Sequence, residues 1–228
     1  VSSHCHHPGL NAASPAIRRR TRAAASFACL LLAVSLPCAD PAAAVKQPAL
    51  YVFYPSTTRP PVIAQKLRES CRGINVTVFG RFQDFVQRTE SDNPEILITK
   101  PRVLSSLPAY TVTMRATRKN SEQEPCVLLS IEKPVVRDSL QHLRIGVVDF
   151  LGRIGTERYI ADLFGRPLTL NRVMKTEDLL PMLTFNKANA VFVGESGIPF
   201  FKTITVLNLA VTRIPGCGIG IAVCAISS

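Results

Sequence analysis

The stretch that decides the fold is NVTVFGRFQDFVQRTESDNPEILIT, residues 75–99. Val76, Thr77, Val78 and Phe79 are β-branched or aromatic and predict a strand over residues 75–79. Phe82, Phe85, Val86 and Thr89 then fall at i, i+3, i+4 and i+7, one face of an amphipathic helix. Asn93-Pro94 breaks that helix, and residues 95–99 (E-I-L-I-T) predict the next strand. Strand, helix and strand at this spacing argue for a parallel pair joined by a crossover helix.

Working outward, residues 50–54 form another β-rich run, ending at Pro55. Ser56, Thr57 and Thr58 stand before Pro60-Pro61 and predict a capped helix carrying Val62, Ile63, Leu67 and Cys71. Arg72-Gly73 ends it. After Pro101 a short turn or helix is expected over 102–107. The pattern then changes: residues 110–116 and 126–131 predict two strands with no helix between them, joined by the polar stretch 117–124. Residues 145–150 resume the alternation, and Thr156, Tyr159, Ile160, Leu163 and Phe164 mark a helix stopped at Gly165. Residues 169–174 form a strand, Thr176 opens a helix that Pro181 restricts, and residues 190–193 form another strand. The apolar, Gly-rich end is read as two strands, 206–213 and 219–225, around a turn at Pro215-Gly216. A membrane helix there would hold Asn208, Arg213 and Pro215 mid-span, which is costly. Two α/β units with an irregular crossover result.

Composition sets limits. The chain has 228 residues, 46% of them hydrophobic and 19% charged, which excludes a disordered chain and allows a real core. No run of 18 or more apolar residues is free of charge or Pro, which excludes a polytopic membrane protein. The net charge of +11 raises the question of a nucleic-acid partner. Part of it belongs to what reads as a signal peptide. Arg18, Arg19, Arg20 and Arg22 precede an apolar stretch of 14 residues, 23–36, and Ala42-Ala43-Ala44 supplies a cleavage site before Val45. Fourteen helical residues span about 21 Å, short of the roughly 30 Å hydrocarbon core. Cleavage leaves 23 basic against 15 acidic residues, a charge of +8, dispersed except for a cluster over 115–119. No aromatic-interleaved basic motif accompanies that cluster, so no nucleic-acid partner is expected.

The same cleavage removes the metal-like cluster His4-Cys5-His6-His7, so no metal site is expected from it. Four cysteines stay: Cys71, Cys126, Cys217 and Cys224, which allow two disulfides in three connectivities. Cys217 and Cys224 are near enough in sequence for a local closure, and Cys71 ends an apolar helical stripe where a buried free thiol is the alternative.

The order of these segments resembles the type 2 periplasmic solute-binding proteins of ABC transporters, the phosphate/phosphonate-binding-like branch in particular. The likeness runs from about residue 50 to 225. It rests on Ile96-Leu97-Ile98-Thr99-Lys100-Pro101, Cys126-Val127-Leu128-Leu129-Ser130 and Ile145-Gly146-Val147-Val148-Asp149. It rests also on the run from Asn186 to Val193, which is similar to the family's Gly-x-x-Asp-Ala segment with Asn186 in place of Gly and Asn189 in place of Asp. The resemblance implies an α/β, two-lobed fold of mixed sheets with flanking helices. On this reading residues 1–44 are signal peptide and upstream sequence, 45–113 lobe I, 114–204 lobe II and 205–228 a return segment to lobe I. The family adds further helices after the return strand, so a shortened C-terminus is expected.

A binder of this kind needs polar groups converging on its cleft at the carboxyl ends of strands, where helix N-termini favour anions. The candidates are Ser56, Thr57, Thr58 and Thr99 in the first lobe and Arg153, Gly155 and Thr156 in the second. Glu195, with Ser196, would meet a cationic group. Ser56, Thr57 and Thr58 also suit plain helix capping, Gly152 and Gly155 plain backbone freedom, and Lys100 reads as a solvated surface charge. An enzyme is not expected. His142, the sole histidine after residue 44, reads as a surface imidazole, and there is no nucleophile elbow, P-loop or H-E-x-x-H. Gly216-x-Gly218-x-Gly220 lacks a following helix pattern, and no Cys or His pair has zinc spacing. The expected protein is thus periplasmic, monomeric and cofactor-free. It would hold a small, anionic, phosphate- or phosphonate-like solute and meet an ABC permease or, in the alternative, act as a sensor or accessory domain.

Overall fold

A computed structural model of the protein describes residues 47–228. The basic and apolar leader, the Ala44/Val45 junction and the His4-Cys5-His6-His7 cluster lie outside the described residues.

The decisive stretch folds as its periodicity dictates. β1 (Ala49–Phe53), β2 (Asn75–Phe79) and β3 (Ile96–Thr99) are linked by helices α1 (Pro60–Ser70) and α2 (Phe82–Asp92). β1 pairs in parallel with both β2 and β3. Phe85 and Thr89 are the buried residues of α2, and Phe85 meets the rings of Phe53 and Phe79 at centroid distances of 5.5 and 5.6 Å. After α3 (Pro101–Leu104) and β4 (Tyr110–Arg115) the chain enters a second sheet with β5 (Gln123–Ile131). There β6 (Arg144–Val148), α4 (Gly152–Phe164), β7 (Thr169–Val173), α5 (Leu179–Thr184), β8 (Ala190–Gly194), α6 (Ile198–Thr203) and β9 (Leu209–Gly220) follow. β10 (Val223–Ser227) returns to the first sheet.

The two sheets have strand orders β2-β1-β3-β10-β4 and β7-β6-β8-β5-β9. In each, one strand arrives from the other lobe and pairs antiparallel to both neighbours: β10 between β3 and β4, β5 between β8 and β9. The two crossovers run side by side, with Ala116 N–H donating to Ala222 O at 2.8 Å and Ile221 N–H to Glu122 O at 2.9 Å. At the far end of the first sheet, Ala49 N–H donates to the Glu95 carboxylate at 2.7 Å and Ser227 N–H to the Glu95 carbonyl at 3.1 Å.

β5 shows why the second sheet carries helices on both faces. Cys126 and Leu128 enter one apolar cluster, and Val127 and Leu129 enter the opposite one. With a side-chain period of two, a strand apolar at consecutive positions is covered on both sides. Burying each such Leu or Val contributes about 1.5–3 kcal/mol. The lobes also share an apolar seam. Phe150, which follows β6, is part of the first lobe's core, and Tyr159 of α4 packs against the cores of both lobes. The Arg102 guanidinium lies 5.8 Å from the Tyr159 ring centroid and 3.4 Å from Asp162.

Three expectations change. Ser56, Thr57 and Thr58 do not cap α1: its N-cap is Arg59, with Pro in the first turn, and the Ser56 hydroxyl accepts the Thr58 N–H at 3.0 Å. The turn expected at Pro215-Gly216 is instead part of a 12-residue strand, β9. Its register jumps, with Pro125 facing Gly218 and Val127 facing Arg213, so residues 214–217 bulge opposite Cys126. Gly216, at φ +72°, supplies the left-handed backbone that this bulge needs. The bulge delivers Cys217 to Cys126, and these two form the disulfide. Cys224 lies on β10 in the other sheet, which removes the local Cys217–Cys224 closure, and both Cys71 and Cys224 are free and half-buried.

Residues 186 and 189, where the sequence departs from the Gly-x-x-Asp-Ala pattern, each have a defined local role here. Asn186 holds a left-handed φ of +54°, which Asn tolerates nearly as Gly does. The Asn189 side-chain oxygen accepts the Arg144 N–H at 2.8 Å, as a carboxylate would. Among the described residues no helix is long and apolar enough to cross a membrane.

Candidate functional site

β1 and β3 end side by side because they are parallel, so the residues after them, Tyr54 and Lys100, emerge together at the cleft. β6 and β8 do the same in the second lobe, bringing Val148 to the cleft beside Gly194 and Ser196. The cavity they enclose has a volume of about 140 Å³ and is bounded by Tyr54, Ser56, Thr57, Lys100, Glu124 and Ser196, with Phe150, Phe192 and Phe201 among its apolar walls.

Two charges dominate it. Lys100 is only 8% exposed, contrary to its reading as a surface charge, and it is enclosed by the end of β9 and the Tyr54 ring. Its ammonium donates to Gly220 O at 3.0 Å and lies 4.7 Å from the Tyr54 ring centroid. Burial pulls its pKa down to about 8, with the Glu124 carboxylate partly opposing that fall. Glu124, at the start of β5, is also 8% exposed and accepts the Ser196 N–H at 3.1 Å. A Cβ on Gly194 would land on this carboxylate, so glycine there makes the room that Glu124 occupies. Burial also raises the Tyr54 phenol, and the nearby Glu124 charge adds to the rise. A buried ammonium and a buried carboxylate on one small cavity can receive an anionic group and a hydrogen-bond donor at once.

The residues picked from sequence fall into three groups. Ser56 and Thr57 line this cavity, and Thr58 lines the larger chamber beside it. Thr99 and Thr156 are buried and engaged. Thr99 Oγ1 donates to Phe53 O at 2.9 Å, and Thr156 Oγ1 donates to Asp149 at 3.0 Å while accepting the Leu151 N–H at 3.1 Å. Arg153 is exposed beside Glu157 at 3.6 Å, and Gly155 packs its α-carbon toward Leu151. Glu195 forms a two-pronged pair with Arg213 at 2.6 and 3.0 Å in a separate groove, and that guanidinium holds its carboxyl below the usual range. Lys100 and Glu124 are the residues that sequence reasoning did not choose. Their signal was present: a lysine directly after a buried strand, and an acid at the start of an otherwise apolar one. His142 is exposed, as expected.

Two mixed five-stranded sheets, a double crossover and a polar cavity between the lobes define a bilobal fold of the periplasmic-binding-protein type 2, or Venus flytrap, kind. No protein-family model and no curated protein matches the chain in sequence. Solved structures do match. The periplasmic VFT2 domain of Bordetella pertussis BvgS gives a TM-score of 0.57 at 8% identity, over 79% of this chain and 81% of that one. The arginine-specific periplasmic binding protein of Salmonella typhimurium gives 0.57 at 12%, over 79% and 86%. The amino acid ABC transporter substrate-binding protein AbpA of Streptococcus pneumoniae, bound to L-arginine, gives 0.56 at 10%, over 79% and 82%. Likeness at this identity is likeness of fold, and it does not single out the phosphate/phosphonate branch expected from sequence.

Proposed function

We propose that the chain is an exported solute-binding protein that takes a small zwitterion of the amino-acid class between its lobes. The observation carrying this reading is the pairing of Lys100 and Glu124, one from each lobe, both nearly buried on one cavity. Lys100 suits a carboxylate, with Ser56 and Thr57 beside it, and Glu124 suits an ammonium. A phosphate-like anion would pair with Lys100 but bring no cation to the Glu124 carboxylate, which argues against the purely anionic solute. The arginine-bound and amino-acid-transport proteins that share the fold support the same class. The Cys126–Cys217 disulfide suits an oxidising compartment and supports a periplasmic location. Binding needs no chemistry on the solute, and we read the protein as a non-enzyme that hands its ligand to an ABC permease. Likeness to the BvgS domain supports a second reading, in which the same fold reports occupancy to a membrane protein without transport.

The test is thermal denaturation of the purified protein with amino acids, phosphate and phosphonates. Amino acids should raise the melting temperature progressively with concentration. A folded sample that ignores every zwitterion, or responds to phosphate alone, defeats the proposal.

A further inference from the structure

The inner cavity opens beside a second, larger chamber of about 400 Å³. The two share Tyr54, Pro55, Ser56, Val148 and Thr176 as lining, so a ligand seated in one can extend into the other. The outer chamber has apolar walls at Phe53, Phe79 and Met174, and its charges come from both lobes. Arg59 precedes α1 in the first lobe, while Lys175 and Glu177 follow β7 in the second. None of these three takes part in an ion pair among the described residues. The inner cavity therefore receives a charge-balanced head, whereas the outer chamber offers two cations against one carboxylate.

We infer that the outer chamber selects the tail of the solute, and that the preferred ligand is an α-amino acid whose side chain ends in an anionic group. This rests on the zwitterion reading of the inner cavity. The tail methylenes lie along Phe53, Phe79 and Met174, and the terminal anion sits between Arg59 and Lys175, bridging the lobes. A cationic tail would meet two like charges and a single acid there. The selectivity is thus opposite to that of the arginine-binding proteins sharing this fold. Carboxylate and phosphonate tails present the same charge to the same two cations, and they are separated only by size.

The experiment is calorimetric titration of the protein with alanine, glutamate, 2-amino-4-phosphonobutyrate and arginine, repeated on the Arg59→Glu/Lys175→Glu double variant. Both positions are at the exposed rim, and circular dichroism checks that the variant is folded. The expected result is that at least one acidic-tailed ligand binds about tenfold more tightly than arginine, and that the double variant inverts this ratio. Raising the salt should narrow the ratio, because the tail contacts are partly solvated. Whichever of glutamate and the phosphonate binds more tightly identifies the tail. Alanine binding with arginine equal to or tighter than both acidic ligands overturns the tail inference and leaves the head reading standing. A ratio that the double variant does not move overturns it as well. Failure of all four ligands overturns the head reading, and this inference with it.

Discussion

The two sheets follow one plan, but they hold their visiting strand differently. In the second sheet, β5 comes from the other lobe and is tied to the edge strand β9 by Cys126–Cys217, closing a sequence separation of 91. In the first sheet, the equivalent visitor β10 places Cys224 opposite Met114 on the edge strand β4. That pair has no covalent tie, and Met114 is 65% exposed. The same topology is thus secured by a cross-link where the edge strand bulges over four residues, and by the ladder alone where it accommodates the single extra residue Thr113.

The largest effect should come from removing that asymmetry. Cys126→Ser/Cys217→Ser should cost up to about 4–5 kcal/mol by the chain-entropy account of a loop this long. Hydrogen exchange should then show protection lost in β9 while β10 and β4 keep theirs. Simultaneous loss in both sheets would mean that the apolar seam at Phe150 and Tyr159 makes the lobes one cooperative unit.

A second comparison is of charge: lobe I contributes a buried cation and lobe II a buried anion. Lys100→Met and Glu124→Gln should each weaken amino-acid binding by about 3 kcal/mol, roughly a hundredfold. Full affinity in either variant would show that its lobe supplies no charged contact. Gly194→Ala should displace the Glu124 carboxylate and cost about 1–3 kcal/mol of stability, read by denaturant titration.

The Lys100 ammonium also sets opposite pH trends for folding and binding. Its pKa in the fold, about 8, lies below the ordinary 10.5, so above pH 8 the unfolded chain holds this proton more often than the folded one. Its contribution to stability therefore rises between pH 8 and 10.5, by roughly 3 kcal/mol in the limit. Carboxylate binding should weaken over the same rise, as the ammonium is lost. Denaturation and titration at pH 7 and 9.5 test both signs, and Lys100→Met should flatten both.

The smallest effects concern helix ends. α2 stops at Asn93 with φ +46° and α4 at Gly165 with φ +66°. Gly165→Ala should cost about 1 kcal/mol, and Asn93→Gly should be neutral or gain a few tenths, both measured by thermal melting.

Much of the scaffold was legible because local pattern and tertiary context agree. Residues 75–99 fold as their periodicity predicts, and Gly165 ends α4 where the apolar face stops. The C-terminal segment was misread because Pro215-Gly216 is a strong local turn signal, while the bulge there answers to a cysteine 91 positions away. Ser56, Thr57 and Thr58 were visible as polar residues after a strand, and two of them border the inner cavity. Lys100 and Glu124 were invisible as a pair, since their surroundings depend on Gly220, Gly194 and Ser196 arriving from distant parts of the chain. Side-chain chemistry can be read locally; the desolvation that gives it force is set by topology.

The two hydrogen bonds converging on Glu95 have a practical consequence. β1 begins and β10 finishes at the pole of the first sheet opposite the cleft, so a surface linker attached at Ala49 or Ser227 would be anchored to the same lobe. The second lobe would carry no tether, and the mouth would stay clear of the support. Samples immobilised through a linker at Ala49 or at Ser227 should therefore capture solute equally well.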